Sequence, residues 1–131
     1  MTTPLNEIQC FLLDMDGTIY LGDELLPGAL DFLDTLKAQG KSFLFLTNNS
    51  SKNRYQYVEK LSKLGIEVEP DEVFTSGEAT ALYLLSEHPG AKLYVVGTPG
   101  LEEEFRSRGF ILTDDNPDLA VLGFDTTLTY E

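Results

Sequence analysis

The 131-residue chain is poor in several things at once. It has one cysteine, Cys10, so no internal disulfide can form, and a lone thiol inside an apolar run reads as buried in an intracellular protein. Nine basic residues stand against 22 acidic ones, a formal charge of −13. Such a charge favours solubility and argues against nucleic acid or an anionic membrane surface as partner. It does not exclude a phosphate-bearing substrate, because a metal or a cluster of N–H donors reverses the field at one site. No apolar stretch approaches the ~20 residues that span a bilayer. Met1 to Glu7 lack the basic region and apolar core of a signal peptide. No repeat or low-complexity tract is present. These absences point to a soluble, cytoplasmic, acidic chain, and a hydrophobic share of 42% is enough for a globular core.

What is there alternates. Ile8 to Leu13 is a short apolar run that reads as a strand buried on both faces. After Pro27-Gly28, Leu30, Leu33 and Leu36 recur at helical spacing until Gly40. Phe43 to Leu46 reads as a second buried strand, followed by a helix with Tyr57, Leu61 and Leu64 on one face, capped by Ser50 or Ser51. A short strand around Val73-Phe74 precedes a helix from about Glu78 to Glu87. After His88-Pro89-Gly90 the pattern restarts with strand "AKLYVVG", helix "TPGLEEEFRSRG" and strand "DLAVLGFD". This order predicts an α/β chain with a mostly parallel sheet flanked by helices.

The first strand ends in Asp14-Met15-Asp16-Gly17-Thr18. Alternation along a strand points Asp14 and Asp16 the same way. Ligands of open α/β sheets bind beyond the carboxyl ends of the strands. Two carboxylates there repel unless a cation lies between them or one is protonated, and a hard cation such as Mg²⁺ suits the need. Gly17 permits a positive φ or a close backbone approach, and Thr18 adds a hydroxyl and an N–H. The second strand ends in Thr47-Asn48-Asn49-Ser50, small donors suited to a tetrahedral anion if the strands are neighbours.

"FLLDMDGTIY" and "FLFLTNNSS" resemble the first two motifs of the haloacid dehalogenase (HAD) superfamily. The surroundings, "YLGDELLPGALDFLDTLKAQGK", "VFTSGEATALYL", "LYVVGTPGLEEEF" and "AVLGFDTTLTYE", are similar to its NagD-like, nitrophenylphosphatase-type branch, which carries a class IIA cap. The resemblance implies a HAD-like Rossmannoid fold and a Mg²⁺-dependent phosphatase of small phosphorylated metabolites, working through an aspartyl-phosphate. Asp14 would be nucleophile and metal ligand. Asp16 would be general acid and base, with its backbone carbonyl on the metal. Gly17, Thr18, Thr47, Asn48 and Asn49 would bind phosphate. Residues 1–89 would be the N-terminal half of the core and 90–131 the beginning of the cap, with the chain stopping before the rest of both.

The family's third-motif lysine and distal Mg²⁺-binding acids are then missing. A compact arrangement would draw them from Lys92 and from Gly123, Asp125 and Glu131, although Phe124 splits the Gly-Asp pair. Asp114, Asp115 and Asp118 precede a strand instead of following it and are weaker. Two other readings stay open: a truncated or pseudo-enzyme chain inactive alone, and a half-enzyme completed by homo-oligomerisation or by a second chain carrying the C-terminal half. His88 reads as an exposed turn residue, Tyr55, Tyr57 and Tyr83 as packing, and Glu102 to Glu104 as acids complementing a helix dipole.

Overall fold

The computed structural model describes residues 4–129. Tyr130 and Glu131, the latter among the acids weighed above, lie outside the described residues, as do Met1 to Thr3. Residues 1–47 and 58–74 form one compact unit, and residues 48–57 and 75–131 a second.

The first unit is built on a three-stranded sheet in the order β1 (Cys10–Asp14), β4 (Ser42–Thr47), β5 (Val73–Thr75), with β1 and β4 parallel. Partners across the register share a face, so Phe11 and Leu13 lie with Phe43 and Phe45 on the covered side. Helix α1 (Ala29–Ala38) covers that side: Leu33 and Leu36 are buried, and Phe32 meets Phe11 edge-on at 6.0 Å. Phe45 is fully buried, and such a side chain stabilises the fold by about 1.5–3 kcal/mol. On the other face Cys10, Leu12 and Asp14 are exposed, Leu12 to 64%. The expectation of a strand buried on both faces, with Cys10 inside, is therefore wrong. An apolar run satisfies one covered face as readily as two, and here no described element of this unit covers the second.

A small hairpin that the pattern did not predict follows β1. Its arms, β2 (Tyr20–Leu21) and β3 (Glu24–Leu25), are antiparallel around Gly22-Asp23, with Gly22 at φ 61°. Lys60 lies 4.2 Å from the centre of the Tyr20 ring. Lys60 comes from α2 (Arg54–Lys63). That helix starts later than Ser50 or Ser51 would allow. Asn53 caps it instead: its Oδ1 accepts from Gln56 N–H at 3.0 Å, while Gln56 Oε1 accepts from Asn53 N–H at 2.9 Å. The reciprocal pair satisfies two otherwise free amides.

The second unit holds another three-stranded parallel sheet, β6 (Lys92–Val96) between β7 (Ile111–Leu112) and β8 (Leu119–Leu122). Helices α3 (Ser76–Glu87) and α4 (Pro99–Ser107) begin at threonine caps, Thr75 and Thr98. Ala81, Leu84, Leu93, Leu101, Phe105 and Phe110 form the core. Leu101 sits among glycines: a methyl at Gly77 or Gly97 would come within 2.7 and 2.6 Å of its side chain, and one at Gly123 would clash with it too. Glu104 is buried and paired with Arg108 at 2.7 Å, so it is not merely a surface acid of the first turn. Arg108 and Arg54 both reach Glu78 Oε1, in a carboxylate only 4% exposed. Tyr57 is buried as expected, whereas Tyr55 and Tyr83 are exposed by 67% and 60% and contribute little packing. His88 is exposed.

Candidate active site

At the end of β1 the burial alternates: Asp14 exposed, Met15 fully buried, Asp16 exposed. The buried Met15 side chain anchors the turn and leaves both carboxylates in solvent. Its carbonyl accepts N–H groups from Thr18, Ile19 and Tyr20 at 3.1, 2.9 and 3.3 Å, and Gly17 N–H donates to the Tyr20 carbonyl at 2.8 Å. Gly17 has φ 78° with open space where a Cβ would point, so the turn needs its left-handed backbone and not its small size. Ile19 and Tyr20 are buried beneath this turn. Thr18 Oγ1 donates to Asp14 Oδ2 at 3.4 Å, a long bond that steadies one carboxylate oxygen.

Asp14 pairs in register with Leu46, so Thr47 lies one residue further along the neighbouring strand, at the same end of the sheet. Thr47 is buried and alternates to the side of Phe43 and Phe45, whereas Asp14 belongs to the open side. Asn48 and Asn49 follow in the second unit. Asn48 is exposed, its carbonyl accepting from Ser76 Oγ at 2.9 Å. Asn49 Oδ1 accepts from Ser51 N–H at 2.9 Å, an Asx-type turn. Within the second unit, a pocket of about 280 Å³ lies beside this loop, with Asn48, Ser50, Ser76 and Thr80 as polar lining and Leu101 and Phe105 among the apolar.

Lys92 and Asp125 do not form a compact pair. Lys92 opens β6, while Asp125 follows the far end of β8, which runs parallel to β6 in the register Val96 to Leu122. They lie at opposite ends of one sheet, and the backbone N–H of Lys92 binds Asp118 Oδ2 at 2.8 Å. Among the described residues no three acidic, histidine or cysteine side chains are grouped to hold a metal. Asp14 offers a carboxylate and Asp16 a backbone carbonyl, hard oxygen donors of the type Mg²⁺ prefers, and with water and phosphate oxygens they fit it as part of a ligand set. Among the described residues, no helix is long and apolar enough to cross a membrane.

The hairpin beside the carboxylates had a signal that the pattern reading passed over: Gly-Asp between Tyr20-Leu21 and Glu24-Leu25 is a two-residue hairpin turn. The later residues that hold the Asn48–Ser51 loop had none.

A family model for haloacid dehalogenase-like hydrolases matches residues 11–111, most of the chain. The chain belongs to that family. Its branch is the NagD-like, nitrophenylphosphatase-type one, and its mostly parallel sheets with flanking helices are the HAD-like fold. It is 38% identical over 128 residues to an acid sugar phosphatase of Staphylococcus aureus, covering 97% of this chain and 49% of that one. It is 50% identical to a 4-nitrophenylphosphatase from Thermotoga maritima, with a TM-score of 0.91 over 96% of this chain and 48% of the relative. A glycerol phosphate phosphatase from Mycobacterium tuberculosis, in complex with magnesium, is 31% identical with a TM-score of 0.85, over 95% and 38%. The chain thus spans about half the length of the curated relatives it matches.

Proposed function

We propose that this HAD-family chain carries the nucleophile and phosphate-binding segments of a Mg²⁺-dependent phosphatase acting on small phosphorylated metabolites. The observation that carries the reading is the pair of solvent-facing carboxylates, Asp14 and Asp16, flanking a fully buried Met15 at the carboxyl end of β1. Relatives named acid sugar phosphatase, 4-nitrophenylphosphatase and glycerol phosphate phosphatase support the substrate class. Residues 1–89 are assigned to the core and 90–131 to the opening of a cap. The change of sheet supports this, since β1, β4 and β5 end by Thr75 and β6 to β8 begin at Lys92.

In the first half-reaction Asp14 attacks phosphorus, the bond from phosphorus to the leaving oxygen breaks, and Asp16 delivers its proton to that oxygen. In the second, Asp16 takes a proton from water, water oxygen bonds to phosphorus, and Asp14 departs as carboxylate. Thr18 Oγ1 donates to Oδ2 of Asp14 and helps orient the carboxylate. Thr47, Asn48 and Asn49 supply donors for the phosphoryl oxygens, whereas the single N–H of Gly17 is already bonded to the Tyr20 carbonyl and shapes the turn instead. Bound Mg²⁺, held by the Asp14 carboxylate and the Asp16 carbonyl, would offset the repulsion between a carboxylate and a phosphate dianion.

A second reading is favoured by the absence, among the described residues, of a third metal-ligating acid near the pair. These residues then hold the nucleophile and only part of a metal site. Hydrolysis of an aryl phosphate by the mass-verified chain, with and without Mg²⁺ and beside Asp14→Asn, separates the two. Turnover that needs both Mg²⁺ and Asp14 is the expected result for a working site. None above the variant favours the incomplete site, and turnover persisting in Asp14→Asn removes Asp14 as nucleophile.

A further inference from the structure

The loop that leaves β4 is tied down by groups that come much later in the chain. Ser76 Oγ donates to the Asn48 carbonyl at 2.9 Å, and Phe124 N–H donates to Ser50 Oγ at 2.8 Å. Thr98 Oγ1 donates to the Ser51 carbonyl at 2.7 Å, a buried bond between residues 47 apart in sequence. Arg54, opening α2, pairs with Glu78. All these groups belong to the second unit, which takes in Asn48–Tyr57 together with Thr75–Glu131.

Thr98 differs from the other anchors. It is 5% exposed, and its one hydroxyl does two things: it donates to Ser51 and accepts from Leu101 N–H at 3.4 Å as the cap of α4. A hydroxyl carries one proton and two lone pairs, so both demands are met at once. The Ser76 bond is solvent-exposed and water can replace it. At Thr98 water has little access, and a lost partner leaves a buried carbonyl unsatisfied.

We propose that Thr98 is a positioning residue for the candidate phosphate loop. It fixes the Asn48–Ser51 backbone so that the loop's N–H groups stand preorganised for a phosphoryl group. The inference rests on the phosphatase reading above for the identity of the anion. It does not rest on that reading for the hold on the loop. The segment assigned to the opening of the cap then shapes the anion-binding loop.

The test uses Thr98→Ser, Thr98→Val and Thr98→Asp in the 131-residue chain. Without ligand, amide hydrogen exchange is read in peptides covering residues 46–54 and 98–106. Aspartate caps a helix well but, as a carboxylate, cannot donate to the Ser51 carbonyl. Thr98→Asp should speed exchange in the loop by about tenfold, the effect of one buried hydrogen bond, and leave α4 unchanged. Thr98→Val should loosen both, and Thr98→Ser neither. Affinity for inorganic phosphate is then compared by calorimetry among the neutral forms. It should fall about tenfold in Thr98→Val and recover in Thr98→Ser, if one loop contact is worth one such bond. Loop exchange unchanged in both Thr98→Asp and Thr98→Val would overturn the proposal and leave Thr98 as a helix cap alone. Loop exchange that follows the donor in a chain that binds no phosphate would instead count against a complete anion site in these residues and keep the hold on the loop.

Discussion

Replacing Leu101 by alanine opens a hole that the glycines around it cannot fill. Leu101 is 2% exposed and is ringed by Gly77, Gly97 and Gly123, which have no side chains to swing into the space. Buried Leu→Ala changes cost about 2.7–5 kcal/mol, more where the site collapses less, so Leu101→Ala should fall near about 4 kcal/mol. The opposite perturbation is Gly77→Ala. Gly77 lies in the first turn of α3, where alanine gains up to about 1 kcal/mol in helix propensity. Its new methyl, however, would come 2.7 Å from Leu101 Cδ1, and overpacking of this kind costs about 1–3 kcal/mol. Alone, Gly77→Ala should therefore destabilise by about 1 kcal/mol. Beside Leu101→Ala the clash is gone, the methyl fills part of the hole, and the sign should reverse. The double variant should be about 1 kcal/mol more stable than Leu101→Ala, a coupling of about 2 kcal/mol. Urea unfolding read by far-ultraviolet circular dichroism gives all four free energies. Additivity within about 0.5 kcal/mol would refute the glycine ring as a rigid enclosure.

Two further predictions concern the turns. Gly17→Ala places a side chain at φ 78°, a strain of about 1–2 kcal/mol without any steric clash. Gly17→Asn, which tolerates that conformation better, should cost less, and equal costs for the two in thermal melts would contradict the backbone explanation. Asp125 should titrate below the usual aspartate range, because the Thr127 hydroxyl, and secondarily its backbone N–H, bonds the carboxylate. The folded value is depressed, so the stability it contributes is present above the unfolded value and is lost as pH falls through the folded one. A carboxyl-carbon NMR titration should show the midpoint rising in Thr127→Val, and an unchanged midpoint would remove the hydroxyl as the main cause.

Much of the candidate site's placement was legible because it is local. Asp14 and Asp16 follow the alternation of one strand, and the small residues after Leu46 follow another, so adjacent residues carry the pattern. Cys10 and Leu12 were misread because an apolar run says that a surface wants covering, not whether anything covers it. The β2–β3 arms are two residues each, too short for periodicity to appear, although their Gly-Asp turn was in plain view. Ser50 and Ser51 looked like caps by residue type. Their positions are taken by longer ties to Phe124 and Thr98, and the cap passes to Asn53. Such ties join residues with no common periodicity, so no local pattern could announce them.

The junction at Glu78 implies an unusual response to salt. Two of the chain's nine basic residues, Arg54 and Arg108, are held with the buried Glu78 and Glu104 in one neutral junction, so the net charge of −13 lies outside it. Added ions shield charges in solvent within about 8–10 Å and reach sequestered pairs much less. Sodium chloride should then relieve the repulsion among surface acids while leaving the arginine junction nearly intact. The fold should gain stability in moderate salt, the reverse of a protein whose cohesion lies in exposed ion pairs.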